Sequence, residues 1–535
     1  MKNKKKRNRN YFVNLIFTAV IFGSITGIVT SVIVNFYKLC AKYVILASER
    51  GYHYLSEHLY YLPLAIALAF GVSLLLAWVY KRSPNLRGGG IPTSIGILRG
   101  VISFKWLSTL LGVFFLSLTS FLFGVPLGNE GPSVQIGTAV GRGSVYSFAK
   151  KHRAWDRYSM TGGACAGFSV ATGAPISGIM FSIEEAHRKI SPIIVIVSCI
   201  SVLFAQLTTE LIAPVFNVSK TLFPNIQLVE LSLRDIWLPA LIGIVMGLFA
   251  VLFLKYYKVI HAFSNKKLAK IPAVYKIFFV FVLTIALGVC SFSFISTGHE
   301  LILELFAGEG VMLMLLLLLL ARSTLTLLAN SNRITGGIFL PILAIGTLVS
   351  ALLGKTLIEC MGFAEEYYLT ILVLGITACI SGMMKMPITA IVFSIEALSG
   401  YGNIIYVVAV AAIAYMITEI FDVKSINDNV LERRVEAINE DKNRMVIDTF
   451  VVVKKGSFAI DKHISEILWP ANLFVLSLQH AKTHDAEIDE HGGSALREGD
   501  VLHVRYSTFD EPQTKAELTA IVGEQDYSEK EAEVI

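Results

Sequence analysis

Apolar runs long enough to cross a bilayer recur along the first 420 positions of this chain, and that restricts its fold more than any other feature. Crossing a hydrocarbon core takes about 20 residues of helix. Only a helix or a closed barrel pairs every backbone N–H and C=O without water. Residues 11–36, 62–80, 231–255 and 403–421 are the cleanest runs. Only 16% of the 535 residues are charged and 54% are hydrophobic, whereas an ordinary soluble domain carries about 25% charged residues. Mean hydropathy is +0.63. The expectation is an all-α polytopic membrane protein.

Residues 1–10 carry Lys2, Lys4, Lys5, Lys6, Arg7 and Arg9 ahead of the first run. A secretory signal also begins basic, but its apolar region is about 7–15 residues and ends at a small-residue cleavage site. This run continues to about Val34. The positive-inside rule assigns the N-terminus to the cytoplasm. Arg433, Arg434, Lys442 and Arg444 follow the last span and assign the C-terminus to the same side. Loop lysines and arginines account for the net charge of +6, so no nucleic-acid partner is implied. The six cysteines form no CxxC pair and read as small core residues rather than a metal site. No cofactor is expected.

An internal repeat divides the apolar part. Pro175–Glu184 matches Pro387–Glu396 at seven of ten positions, and the segment from Pro132 matches that from Pro341 at Pro, Ile, Gly, Thr and Val. The offsets are 212 and 209 residues. The chain therefore reads as two transmembrane halves, 11–215 and 231–422, joined by 216–230. Such repeats are often inverted, with a substrate site between them near the midplane. After a linker at 423–445, residues 446–508 carry β-like runs at Val446–Val453, Leu473–Gln479 and Val501–Tyr506, predicting a small α+β cytoplasmic domain. A polar, acidic tail fills 509–535, and the composition of 524–533 predicts disorder.

Three segments share one layout: Gly88-Gly89-Gly90-Ile91-Pro92, Gly128-Asn129-Glu130-Gly131-Pro132 and Gly336-Gly337-Ile338-Phe339-Leu340-Pro341. Each places glycine backbone before a proline and an apolar run. Proline is favoured in the first helical turn, so each predicts a helix N-terminus. Such an end exposes unpaired N–H groups and about half a positive charge. Three converging ends would hold an anion without a full cation, which suits an ion that must also leave. The plainer reading is that these glycines let helices pack closely.

Glu130 is a carboxylate in this setting. It can occupy a site made for anions and leave it when protonated, and an intramembrane carboxylate is by default a functional candidate. Glu184 and Glu185 end the Pro175 run, ahead of His187, Arg188 and Lys189. Neighbours on a helix point about 100° apart, so the two need not share a role.

Together these motifs resemble those of the CLC family of chloride channels and proton-coupled chloride transporters, over about residues 15–435. Gly88–Pro92 corresponds to the family's GSGIP, Gly128–Pro132 to GREGP and Gly336–Pro341 to GGIFAP. The resemblance implies a homodimer of inverted-repeat subunits, each with its own pore, while the basic, cysteine-poor chain with a TrkA-like tail suggests a bacterial inner membrane. It makes Glu130 the external gating and proton-accepting glutamate and Glu185 the internal proton-transfer glutamate. Ile338 and Phe339 become the residues whose amides hold the central anion. An acid at 185 favours chloride/proton antiport over a passive channel. Three positions depart: Gly89 stands where the family has serine, Asn129 where it has arginine, and Asn427 where it has the central tyrosine. Tyr401, Tyr406 and Tyr415 remain alternatives for that tyrosine. Fluoride/proton exchangers of the family also depart at the serine and tyrosine positions, which keeps fluoride open. Gly456–Ile460 and Leu496–Asp500 are similar to TrkA-type C-terminal domains, implying a regulatory module with a nucleotide as one candidate ligand. Intramembrane enzyme chemistry finds no support, since there is no GxSG or HExxH stretch.

Overall fold

The computed structural model describes residues 2–148, 153–440, 442–481, 486–487, 495–525 and 532–534. Prolines and glycines cut the apolar sequence into helices of very unequal length. The first half comprises α1 (Lys2–Glu57), α2 (Leu62–Arg82), α3 (Ile91–Leu98), α4 (Trp106–Leu122), α5 (Glu130–Phe148), α6 (Asp156–Thr172), α7 (Pro175–Phe181) and α8 (Pro192–Phe216). The second comprises α9 (Trp237–Ala262), α10 (Ala273–Cys290), α11 (His299–Phe306), α12 (Met312–Ser331), α13 (Phe339–Met361), α14 (Tyr368–Cys379), α15 (Pro387–Ala397) and α16 (Ile404–Ile420), after which α17 (Ile426–Ile438) leads out. Among the described residues nine helical segments are long and apolar enough to cross a membrane.

At about 1.5 Å per residue, the 56 residues of α1 span roughly 84 Å, well beyond the ~30 Å hydrocarbon core. The helix runs past Val34, where the apolar run ends, because polar residues beyond it find partners. Lys38 Nζ donates to the carbonyls of Val170 and Ser219 at 2.9 and 2.8 Å. Small residues let α5 and α6 touch backbone to backbone, with Gly137 set against Gly163. Part of the glycine content is therefore plain packing.

The repeat is visible as a reciprocal pair of helix caps. Glu184, just past the end of α7, accepts from Ile388 N (2.9 Å), Thr389 N (2.7 Å) and Thr389 Oγ1 (2.7 Å) at the start of α15. Glu396, near the end of α15, accepts from Ile176 N, Ser177 N and Ser177 Oγ at 2.8 Å each, at the start of α7. Each helix's C-terminal end meets the other's N-terminus, so the two repeats run antiparallel here. The carboxylates satisfy orphan N–H groups and lie at the positive ends of the helix dipoles.

The strand-containing unit pairs β1 (Met445–Val452), β2 (Leu473–Gln479), β3 (Ala486–Glu487), β4 (Val501–Thr508) and β5 (Ala532–Val534) in the order β3-β2-β4-β1-β5. All pairings are antiparallel. The helix α18 (Glu511–Val522) buries Leu518, Ile521 and Val522 in the core of this unit. Residues 526–531 of the acidic stretch lie outside the described residues. One arginine ties the unit to the membrane part. Arg157 on α6 donates to Leu98 O, which ends α3, at 2.7 and 3.1 Å, and also to the carbonyls of Leu468 and Trp469.

Candidate functional site: converging helix ends

Three glycine segments from distant parts of the chain meet backbone to backbone. Gly128 N donates to Gly337 O at 2.7 Å, and Gly337 N to Gly128 O at 2.9 Å. A Cβ on Gly131 would lie 2.7 Å from Gly337 Cα and 2.9 Å from Gly90 Cα. No side chain fits that gap. Gly90 also caps α3 at φ +80°, a conformation open mainly to glycine. The flanking Ile91, Pro92, Pro132, Gly336, Ile338, Phe339, Leu340 and Pro341 are all buried.

Each segment ends in a helix whose first amides are free of intrahelical bonds. Bonding begins with Ser94 N to Gly90 O, Ser133 N to Asn129 O and Ile342 N to Ile338 O. The N–H groups of Ile91 and Thr93, of Glu130 and Gly131, and of Phe339 and Leu340 therefore have no partner within their helices. A wall of aromatic rings flanks α13: Phe339 packs edge-on against Phe168 (5.3 Å) and Phe393 (5.6 Å), and Phe168 stacks on Phe181 (5.7 Å).

Glu130, the first residue of α5, is fully buried, and its carboxylate faces the backbone amides of Glu130 and Leu340 without reaching good hydrogen-bond geometry to either. Its side chain folds back over Gly128. A Cβ placed there would collide with Oε2 and would lie 3.0 Å from Leu340 Cβ and 3.4 Å from Pro341 Cδ. The carboxylate thus sits where the second and third segments meet. Lys38 and His299 are basic side chains within electrostatic reach. Both line a cavity of about 530 Å³ that reaches Asn129 and Leu340 beside this junction.

Glu185 belongs to a second cluster. It is fully buried in the π-helical turn Ser182–Ala186, where its carboxylate faces Arg188 and Asn427. Arg188 Nη2 is 3.7 Å from Glu185 Oε2 and 2.6 Å from Asp428 Oδ2. Arg99, capping the end of α3, donates to the carbonyls of Glu185 and Ala186 at 2.8 and 3.0 Å. Asn427, in the first turn of α17, is buried with its side-chain amide set against the Glu185 carboxylate. The junction thus lies at one end of α3 and the Glu185–Asn427 cluster at the other. Eight residues of helix separate the ends by about 12 Å, too far for direct proton transfer. Of the alternative tyrosines, Tyr401 is exposed, Tyr406 is buried in α16 and Tyr415 lies near Glu419 and Glu184.

Gln135, five residues after Glu130 in α5, is a site residue that the motifs alone did not single out. Its Oε1 accepts from Gly90 N at 2.9 Å, and its buried Nε2 has no partner. A Cβ on Gly89 would lie 3.0 Å from that Oε1, so the amide takes up space beside Gly89. The available signal was one amide in the otherwise small and apolar run after Pro132.

A sequence profile described as Voltage gated chloride channel matches residues 72–419, well over half of the chain. The chain belongs to the voltage gated chloride channel family. Membership carries anion transport across a membrane, in a family of transporters rather than enzymes. Solved structures share this fold. A slow cyanobacterial Cl⁻/H⁺ antiporter superimposes with a TM-score of 0.69 at 22% identity, covering 79% of this chain and 99% of that one. A eukaryotic CLC transporter gives 0.62 at 18% identity, over 79% and 74% of the two chains. A CLC-type fluoride/proton antiporter gives 0.60 at 17% identity, over 76% and 96%. Among the described residues no group of His, Cys, Asp and Glu could hold a metal ion.

Proposed function

We propose that this protein exchanges chloride for protons, with the anion held by the converging helix ends and Glu130 as both gate and external proton acceptor. The observation that carries this reading is the buried Glu130 carboxylate, folded over Gly128 and facing the amides of Glu130 and Leu340. A carboxylate in that position imitates the anion. It competes with chloride for the same amides while ionised and yields when protonated. Glu185 supplies the internal proton station, and water must bridge the length of α3 between them. Gly88, Gly89, Ile338 and Phe339 contribute backbone to the anion path, and Asn427 stands at its inner end. A homodimer in a bacterial inner membrane, with both termini cytoplasmic, completes the reading. The strand-containing unit acts as a TrkA-C-like regulatory module, and Arg157 joins it to the end of α3.

A second reading is fluoride/proton exchange. It rests on Gly89 and Asn427, which remove two hydroxyl-bearing side chains from the path. The test is simultaneous recording of halide and proton movement in proteoliposomes. An anion gradient alone should drive protons uphill, and Glu130→Gln and Glu185→Gln should each abolish proton movement. Halide flux without any proton movement would establish a passive channel instead. Proton movement with fluoride but not chloride would select the second reading.

A further inference from the structure

Arginines from three separate elements line a cleft of about 50 Å³ against Gly88 and Gly89. Arg87 precedes the first glycine segment, Arg333 precedes the third, and Arg433 and Arg434 come from α17. Among the described residues no carboxylate lines the cleft. Glu440 lies within electrostatic reach of Arg333 from outside it. Like charges gathered in a half-buried space repel, and burying them without a counter-charge is costly.

Helix ends account for part of this. Arg87 Nε donates to Tyr80 O at 2.9 Å near the end of α2, and Arg434 reaches Asn85 O and Thr93 Oγ1. Several donors and acceptors remain over. Arg434 is 8% exposed, and its Nε has no partner. Arg433 lies over the Tyr257 ring at 4.7 Å with Nη1 buried and unpartnered. Ser331, 3% exposed, has an unpartnered Oγ, and the neighbouring Asn330 Oδ1 is also unpartnered. Buried polar groups are nearly always hydrogen-bonded. Four orphans on the walls of one arginine-lined cleft therefore point to an absent occupant.

We propose that this cleft binds a phosphoryl group, as free phosphate or as the headgroup of an anionic lipid. Guanidinium forks match the tetrahedral oxyanion. The Ser331 hydroxyl adds a donor, and Asn330 can turn its amide to donate or to accept from a protonated oxygen. A volume of a few waters fits one phosphate rather than a whole nucleotide. The occupant would tie α17, which carries Asn427, to the loops that lead into Gly90 and Gly337, so its binding bears on the anion path.

The test uses the full-length chain in detergent at fixed ionic strength, with inorganic phosphate as the probe and thermal unfolding as the readout. At constant chloride concentration, millimolar phosphate should raise Tm by about 2–4 °C, and gluconate at matched ionic strength should not. Arg433→Gln should remove the shift. Arg333→Asn is the second variant, since asparagine tolerates the left-handed backbone there (φ +59°). A parallel arm reconstitutes the protein in phosphatidylcholine vesicles with and without about 5 mol% phosphatidic acid. Stabilisation confined to the phosphatidic acid vesicles, and lost in the same variants, identifies the lipid source. Equal stabilisation by gluconate and phosphate, or wild-type responses from both variants, would overturn the proposal.

Discussion

Gly131→Ala tests the convergence of the three helix ends most directly. The new methyl carbon would stand 2.7 Å from Gly337 Cα and 2.9 Å from Gly90 Cα, whereas carbon atoms settle at about 3.5–4.0 Å. Both obstacles are backbone, so no rotamer change relieves them and the segments must part by roughly 1 Å. Overpacking of this kind costs about 1–3 kcal/mol. In a chain this long that is a Tm loss of only a few degrees. The larger effect is on the anion. Moving half a charge from about 3 to 4 Å at an effective dielectric of 20 loses roughly 0.7 kcal/mol. For three ends that is about 2 kcal/mol, or some 30-fold in affinity. The assay is chloride binding by calorimetry in detergent, paired with flux in proteoliposomes. Gly71→Ala is the control, because a Cβ there meets nothing within 4 Å and alanine is the better helix former. Wild-type chloride affinity and flux in Gly131→Ala would refute the reasoning.

Restoring the family's serine through Gly89→Ser should destabilise the protein by about 1–3 kcal/mol. Gly89 has φ +122° and its Cβ would press on Gln135 Oε1; an unchanged Tm would show that the backbone relaxes freely. Glu184→Ala and Glu396→Ala should each lower stability by about 0.5–2 kcal/mol, and Glu184→Gln, which keeps an acceptor, by less. Equal Tm values for alanine and glutamine would count against the reciprocal caps. Burial pushes the Lys462 amine from its ordinary 10.5 down to about 7. Between those values the unfolded chain binds the extra proton, so stability of the strand-containing unit should rise as pH climbs from about 7 to 10.5. Below 7 this contribution should be flat. Proteolytic susceptibility of that unit against temperature should show the rise, and Lys462→Met should flatten it.

Much of the site was legible because its chemistry is local. Glycine before proline before an apolar run marks a helix start wherever it occurs, and the repeat matched two of those starts. Glu130 stood out because a carboxylate among glycines inside apolar sequence has few structural uses. Gln135 did not, since an amide one turn into a helix has many. The partners of Glu184 and Glu396 were hidden for a different reason: each caps a helix about 200 residues away, and no local pattern distinguishes a cap in trans from a solvated helix end. The arginine cleft was equally opaque, because Arg87, Arg333 and Arg433 each read as an ordinary loop or helix-end charge.

Hydropathy, punctuation and the repeat were enough to determine a helical membrane protein with two related halves, three special helix starts and a strand-rich unit beyond them. These follow from short-range physics, since a segment's solvent and its turns depend on residues within reach of a few bonds. Only the tertiary structure decided that Gly90, Gly131 and Gly337 touch, that Glu130 turns over Gly128, and that α3 sets the Glu185 cluster about 12 Å from that junction. The proposed anion site, built from peptide dipoles, depends on a spatial coincidence of helix ends. No single segment encodes it, because half a charge on one helix holds an ion weakly and only their convergence makes a site.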